Sequence, residues 1–296
     1  MRRYALLRER VAALSGIQLL VPQSVSPERL LRVHDPDYVS RVFGGGLTAL
    51  EQRRLGFPWS PALLERSLRS VGATCEAAFS VWEAGGFAVA ANLAGGTHHA
   101  FADRGEGFCL FNDCVVAAQA LLEEAGVERI AMVDCDVHQG DGTASLCGNE
   151  ARIFTLSLHG EKNYPFRKET SDLDLELPDG CEDEHYLQVL ERGWQAVAAS
   201  RPQVVFYLAG ADAFGGDRLG RLALTKEGLV RRDRFVLGQC HQAGIGVVVV
   251  MAGGYAEPIE DTADIQARTI EVALEFTFRS TEMGQKVGYG RIVRPI

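Results

Sequence analysis

The chain has 296 residues, 47% hydrophobic and 23% charged, which suits one large α/β domain or two ordinary ones of a soluble globular protein. Its 39 acidic and 30 basic side chains leave a formal charge of -9, which disfavours direct contact with nucleic acid phosphates. Seven scattered cysteines without a C-x-x-C pair exclude a disulfide framework, and no apolar run is long enough for a signal peptide or a membrane span. A cytoplasmic setting is expected.

In chain order, Ser60 followed by Pro61 reads as an N-cap and first-turn pair opening a helix over 61–84. An apolar run follows at 87–91. Residues 112–125 read as a helix stopped by Gly126, ahead of a buried strand at 130–133. Further apolar runs at 153–158, 204–208 and 245–251 alternate with helical stretches at 182–198, 226–242 and 257–276. Short strands without polar alternation, separated by helices, predict an α/β fold with a central, mostly parallel sheet flanked by helices on both faces. In such sheets ligands bind beyond the carboxyl ends of the strands. No repeat or linker interrupts the chain, so one domain over 1–296 is expected, with 280–296 as a tail lacking periodicity.

The unusual residues sit at those strand ends. In Val133-Asp134-Cys135-Asp136-Val137-His138-Gln139-Gly140-Asp141-Gly142, three acids and a histidine crowd the end of an apolar run, where unpaired charge is costly. On an extended chain Asp134, Asp136 and His138 project to one face and can grip a divalent ion. The alternative is an Asp- and Gly-rich cap or turn, but a cap needs one acid rather than three. Asp212, past the run at 204–208, supplies a third ligand from a second strand end; alone it reads as a turn residue. Two carboxylates and one imidazole leave positions open for water and substrate, as in catalytic sites, and suit Zn²⁺, Fe²⁺ or Mn²⁺. Gly95-Gly96-Thr97-His98-His99 places two histidines on a loop where glycine permits an irregular backbone, and their titration range suits proton transfer. Asp134 and Asp141 are candidates to hold one ring nitrogen each. Tyr255, after Gly253-Gly254, is placed either to donate to an oxyanion or simply to close a loop.

With these segments assembled, the chain resembles the histone deacetylase family, of the arginase–deacetylase fold, from about Val33 to about Arg268. The resemblance rests on Gly95-Gly96-Thr97-His98-His99, Gly107-Phe108-Cys109, Asp134-x-Asp136-x-His138-x-Gly140-Asp141-Gly142, Gly210-Ala211-Asp212 and Gly253-Gly254-Tyr255, in that order. His138-Gln139-Gly140, Tyr164-Pro165-Phe166-Arg167-Lys168-Glu169 and Gly216-Asp217-Arg218-Leu219-Gly220 are most similar to the class IV branch and its bacterial relatives. It implies Zn²⁺ held by Asp136, His138 and Asp212, and a dyad of His98 with Asp134 beside one of His99 with Asp141. His99 would be the general base and acid, and Tyr255 the oxyanion donor. Gly107 and Phe108 would line a channel for an acylated lysine or similar acylated amine, with Phe166, or the nearby Tyr164, as the opposing wall. A structural K⁺ near Asp134, Asp136, His138, Ser157 and Leu158, bound mostly through backbone oxygens, is also implied. Relatives carry a strand and a channel-rim loop ahead of the position where Met1 stands here, immediately before an Arg-Arg-Tyr-Ala helix. Two other readings share the fold: an arginase-like binuclear Mn²⁺ ureohydrolase, for which Gly210-Ala211-Asp212-Ala213-Phe214 lacks further acids, and a non-catalytic acyl-amine binding protein. The acidic balance of the chain mildly favours a cationic substrate.

Overall fold

In the computed structural model, which describes residues 2–282 and 291–293, helices and strands alternate along most of the chain. In order they are α1 (Arg2–Ala12), β1 (Gln18–Leu20), α2 (Pro27–Leu31), α3 (Pro36–Gly44), α4 (Ala49–Leu55), α5 (Pro61–Ala84), β2 (Val89–Asn92), α6 (Asp113–Glu124), β3 (Ile130–Asp134), α7 (Asp141–Cys147), β4 (Ile153–Gly160), β5 (Leu173–Leu177), α8 (Asp183–Ser200), β6 (Val204–Leu208), α9 (Lys226–Ala243), β7 (Gly246–Val250), α10 (Ile259–Glu282) and β8 (Arg291–Val293). The strands form one eight-stranded sheet in the order β1-β8-β2-β7-β6-β3-β4-β5. Every ladder is parallel, so the expected sheet is present.

The central strands lack polar alternation because both of their faces are covered. Side chains still alternate between faces. Val133, Val205, Tyr207, Val247 and Val249 pack with Leu7, Leu190, Leu237 and Ile270 of α1, α8, α9 and α10. Their neighbours Met132, Phe206, Leu208, Val248 and Val250 turn the other way, to Val71, Ala77, Val116 and Leu121 of α5 and α6. The N-cap that the sequence predicts at Ser60 is present, and Asn112 supplies a second one that it did not predict. Ser60 accepts from Leu63 N at the head of α5, and Asn112 accepts from Val115 N at the head of α6.

The short elements differ from expectation. α2, α3, α4 and α7 span one to three turns, too few for a periodic signature, and α7 begins inside the Asp141-Gly142 motif. β5 is an edge strand whose Asp174 and Glu176 mask its apolar face. β8 pairs with both β1 and β2, so residues 291–293 of the expected tail belong to the sheet. Residues 280–282 continue α10, while 283–290 and 294–296 lie outside the described residues. Among the described residues no helix is long and apolar enough to cross a membrane.

The chain runs from β3 outward through β4 and β5 to one edge, then returns to β6 and β7 on the other side of β3. The seam between β3 and β6 is therefore the point where strand order reverses, and a crevice opens above it at the carboxyl ends.

One buried histidine ties the layer of α2 and α3 to that crevice. Asn112 N donates to His34 Nε2 (3.0 Å), so Nδ1 carries the proton and donates to Phe101 O (2.9 Å). Burial pushes the His34 pKa down from 6.5 to about 4, against its backbone bonds. The unfolded chain thus binds the proton more readily than the native protein. Stability is full above pH 6.5 and declines as pH falls toward 4, by about 3 kcal/mol from this one group. Urea unfolding at both ends of that window should show a larger loss for the native sequence than for His34→Gln; equal losses would remove His34 as the source.

Candidate active site

β3 ends at Asp134, and the residues beyond it are held by their own side chains. Asp134 Oδ1 accepts from Asp136 N (3.1 Å), and Asp136 Oδ1 accepts from His138 N (2.9 Å). Convergence here comes from successive turns in which an aspartate accepts from the amide two residues on, not from an extended strand. The turns divide the expected ligands. Asp134 turns to His98, while Asp136 and His138 face Asp212, which follows the adjacent β6.

Donor atoms of Asp136, His138 and Asp212 all lie within 4.8 Å of one another. His138 Nδ1 sits 3.0 Å from Asp136 Oδ1 and 3.4 Å from Asp212 Oδ2. Asp212 Oδ1 accepts from Val137 N (3.0 Å), but its buried Oδ2 has no hydrogen-bond partner. Burial and the charge of Asp136 push the Asp212 pKa up to about 7. An orphaned carboxylate oxygen, a facing carboxylate and an imidazole form a donor set that fits a divalent cation. The surrounding backbone is shaped to the same point. Gly253 N donates to Asp136 Oδ2 (2.7 Å), and a Cβ on Gly253 would collide with Asp212 Oδ2 and stand 2.6 Å from Asp136 Oδ2.

The two histidines occupy a loop after β2. Gly96 has φ +93°, and a Cβ there would meet the Ala252 backbone at 2.7 Å. Asp113 fixes this loop by accepting from Thr97 N (2.7 Å), Thr97 Oγ1 (2.6 Å) and Gly96 N (3.1 Å). His98 Nδ1 lies 2.6 Å from Asp134 Oδ2, and His99 Nδ1 lies 2.6 Å from Asp141 Oδ1. The two rings are 4.2 Å apart, so both dyads expected from the sequence exist side by side. Their electrostatics differ. Burial opposes the His98 cation, but Asp134 and Asp136 together outweigh it and hold its pKa up at about 9. In His99 burial and the charge of His98 act together and press its pKa down to about 4, against the Asp141 bond.

Tyr255 stands across the cavity, its ring 5.9 Å from Phe108. Burial raises its phenol to about 12, so it remains a proton donor at neutral pH. Arg3 of α1 steadies the loop that carries it, donating to Gly254 O (2.7 Å) and Ala252 O (3.3 Å). Beneath Asp136 and Asp212, buried Arg232 donates to Gly210 O (2.6 Å) and Cys135 O (3.4 Å), bracing both strand ends. His98, His99, Asp136, His138, Asp212 and Tyr255 line a cavity of about 990 Å³ that also includes Gly107, Phe108 and Phe166. Gly107 (φ +53°) and Phe108 (φ +70°) take left-handed backbone; a Cβ on Gly107 would stand 2.6 Å from the His99 ring. Phe166 is 88% exposed at the rim, whereas Tyr164 reaches deeper, 5.0 Å from the His99 ring and 6.5 Å from His138. Ser157 pairs in register with Asp134, which puts the residues expected around a monovalent ion on two adjoining strand ends.

Sequence reasoning missed Asp113, Arg3 and Arg232. Asp113 reads locally as a helix-start residue, and an arginine in a helical stretch reads as surface. Only the fold shows that Arg232 is 0% exposed.

Gly253→Ala should therefore weaken divalent metal binding at least about tenfold, as disruption of groups that orient ligands does. Competition against a fluorescent chelator measures this; affinity equal to that of the native sequence would show that the Gly253 approach does not shape the site.

Comparison with known proteins agrees with this geometry. The family model described as "Histone deacetylase domain" matches residues 1–272. An uncharacterised protein of Picosynechococcus sp. is 46% identical over 245 residues, 82% of this chain and 81% of that one. Histone deacetylase 2 of Arabidopsis thaliana is 28% identical over 263 residues, 86% of this chain and 66% of that one. A histone deacetylase-like amidohydrolase of Pseudomonas aeruginosa is 30% identical over 275 residues, 86% of this chain and 71% of that one. With its wholly parallel sheet and its paired histidines beside a three-ligand cluster, the chain belongs to the histone deacetylase family, in the arginase–deacetylase fold.

Proposed function

We propose that this protein is a zinc-dependent deacylase, a single catalytic domain that hydrolyses the amide of acetyl-lysine or a similar acylated amine. The observation that carries the reading is the convergence of Asp136, His138 and Asp212 beside the His98–Asp134 and His99–Asp141 dyads. Asp136, His138 and Asp212 would hold Zn²⁺, with Fe²⁺ or Mn²⁺ suiting the same donors. When bound, the metal supplies a Lewis acid that activates water at neutral pH and polarises the acyl oxygen.

The remaining steps belong to the chain's own residues. Asp141 on Nδ1 of His99 leaves Nε2 as the working nitrogen, which takes the proton of the attacking water and returns it to the departing amine. His98, anchored by Asp134, orients the same water. Tyr255 donates to the oxyanion, held in place by Arg3 through the carbonyls on either side of Gly253. Gly107 and Phe108 flank the aliphatic arm, with Phe166 at the mouth. A K⁺ held mostly by backbone oxygens of Asp134, Asp136, His138, Ser157 and Leu158 would brace the β3 and β4 ends. Seven free, buried thiols support a reducing compartment, the cytoplasm. A binuclear ureohydrolase needs a second ligand group, and among the described residues one three-ligand cluster occurs.

With a fluorogenic acetyl-lysine peptide, turnover should vanish on chelation and return with Zn²⁺; no turnover with any divalent metal would leave only the acyl-amine binding reading. Tyr255→Phe should lower turnover on the order of a hundredfold while metal stays bound, since an oxyanion donor supplies roughly 3 kcal/mol. Unchanged turnover would take that role from Tyr255. His99→Ala should damage turnover more than His98→Ala, and the opposite ranking would exchange the two roles.

A further inference from the structure

The net charge of -9 suggests a cationic substrate, yet the cavity mouth has the opposite sign. Arg2, Arg54, Arg66, Lys162, Arg218 and Arg221 line it, while Glu106 is its one carboxylate besides the two metal ligands. Glu106 is engaged, accepting from Tyr164 Oη (2.5 Å) and Arg104 Nε (3.2 Å). On one side the cations face acids: Arg2 pairs with Glu260, Arg218 stands 3.7 Å from Glu257, and Lys162 and Arg221 stand 3.7 and 3.4 Å from Asp179.

The side built by α4 and α5 carries Arg54 and Arg66. Arg54 lies in the last turn of α4, where its carbonyl accepts from Gly107 N (3.2 Å) and Leu55 O accepts from Phe108 N (2.9 Å). Its backbone is thus bonded directly to the channel wall, its side chain is exposed, and among the described residues it forms no ion pair. Arg66 of α5 holds its guanidinium 5.5 Å from the Phe57 ring, which stands 5.2 Å from Phe108. Two guanidinium groups therefore border the aromatic wall at the point where the amine portion of a substrate emerges.

We propose that Arg54 and Arg66 form a carboxylate-binding edge, so that the preferred substrate is an acyl-lysine flanked by acidic residues rather than by basic ones. Guanidinium groups engage carboxylates through paired N–H donors, and two at one rim repel a polycationic peptide. The inference rests on the reading of the cavity as an acylated-amine site, and it concerns groups outside the channel that take no part in the chemistry.

The test compares three acetyl-lysine peptides, flanked by Glu, by Lys or by neutral residues, on the zinc-loaded full chain. Both kcat/KM and the binding of fluorescent versions by anisotropy are read. The Glu-flanked peptide should be favoured over the Lys-flanked one at least about tenfold at low ionic strength, and the ratio should shrink toward one in 0.5 M salt, where exposed charges are screened. Arg54→Gln with Arg66→Gln should flatten the ratio, and the exposed single change Arg54→Glu should lower it even where the double variant folds poorly. Equal or better binding and turnover of the Lys-flanked peptide would overturn the carboxylate edge while leaving the deacylase reading intact. Charge preference in anisotropy without hydrolysis of any peptide would sink the deacylase reading and uphold the edge.

Discussion

Asp136 and Asp212 bring two carboxylates together at 1% and 0% exposure, where burial and the charge of Asp136 oppose ionisation of Asp212, while His98 and His138 overcome burial to keep Asp136 ionised. Such a pair persists only because the fold around it leaves no alternative. Backbone amides of Val137 and Gly253 donate to one oxygen of each, and the absence of a Cβ at Gly253 lets the β7 loop close over both. What the backbone does not satisfy, Asp212 Oδ2, is the atom that together with Asp136 and His138 defines a cation site.

The same economy extends outward. Asp113, Arg232 and Arg3 each take hold of backbone rather than of reacting groups, and each holds a different loop: the histidine loop after β2, the ends of β3 and β6, and the tyrosine loop after β7. Four strand ends that share no local sequence are thereby fixed against one another. Equal chemistry in the two dyads yields unequal histidines, because His98 lies close to two carboxylates while His99 lies beside the His98 cation. Position, not residue type, separates their acidities.

Charge divides in a similar way. A surplus of acids over the whole chain coexists with a mouth bordered by arginine and lysine, and Asp179, which pairs with Lys162 and Arg221, is not among the residues lining the cavity. Bulk composition sets the sign of the far field, but a substrate entering a concave site meets the nearest side chains first.

The order of strands and long helices was legible because covered parallel strands leave unbroken apolar runs and long helices leave periodic ones. The convergence of Asp136, His138 and Asp212, both histidine–aspartate pairs and the place of Tyr255 were legible because reactive residue types cluster in glycine-rich segments directly after such runs. The placement of residues 291–293 was not, since three residues carry no period and their pairing with β1 and β2 spans most of the chain. Residue spacing alone left the roles of Asp134 and Asp136 undivided, and only the family resemblance implied them; the turns two residues apart separate them once His98 and Asp212 stand on either side. The sequence determined which groups meet at the rim of the sheet, through local pattern; tertiary structure alone decided how they are braced and what charge surrounds them, because those forces act between segments far apart in the chain.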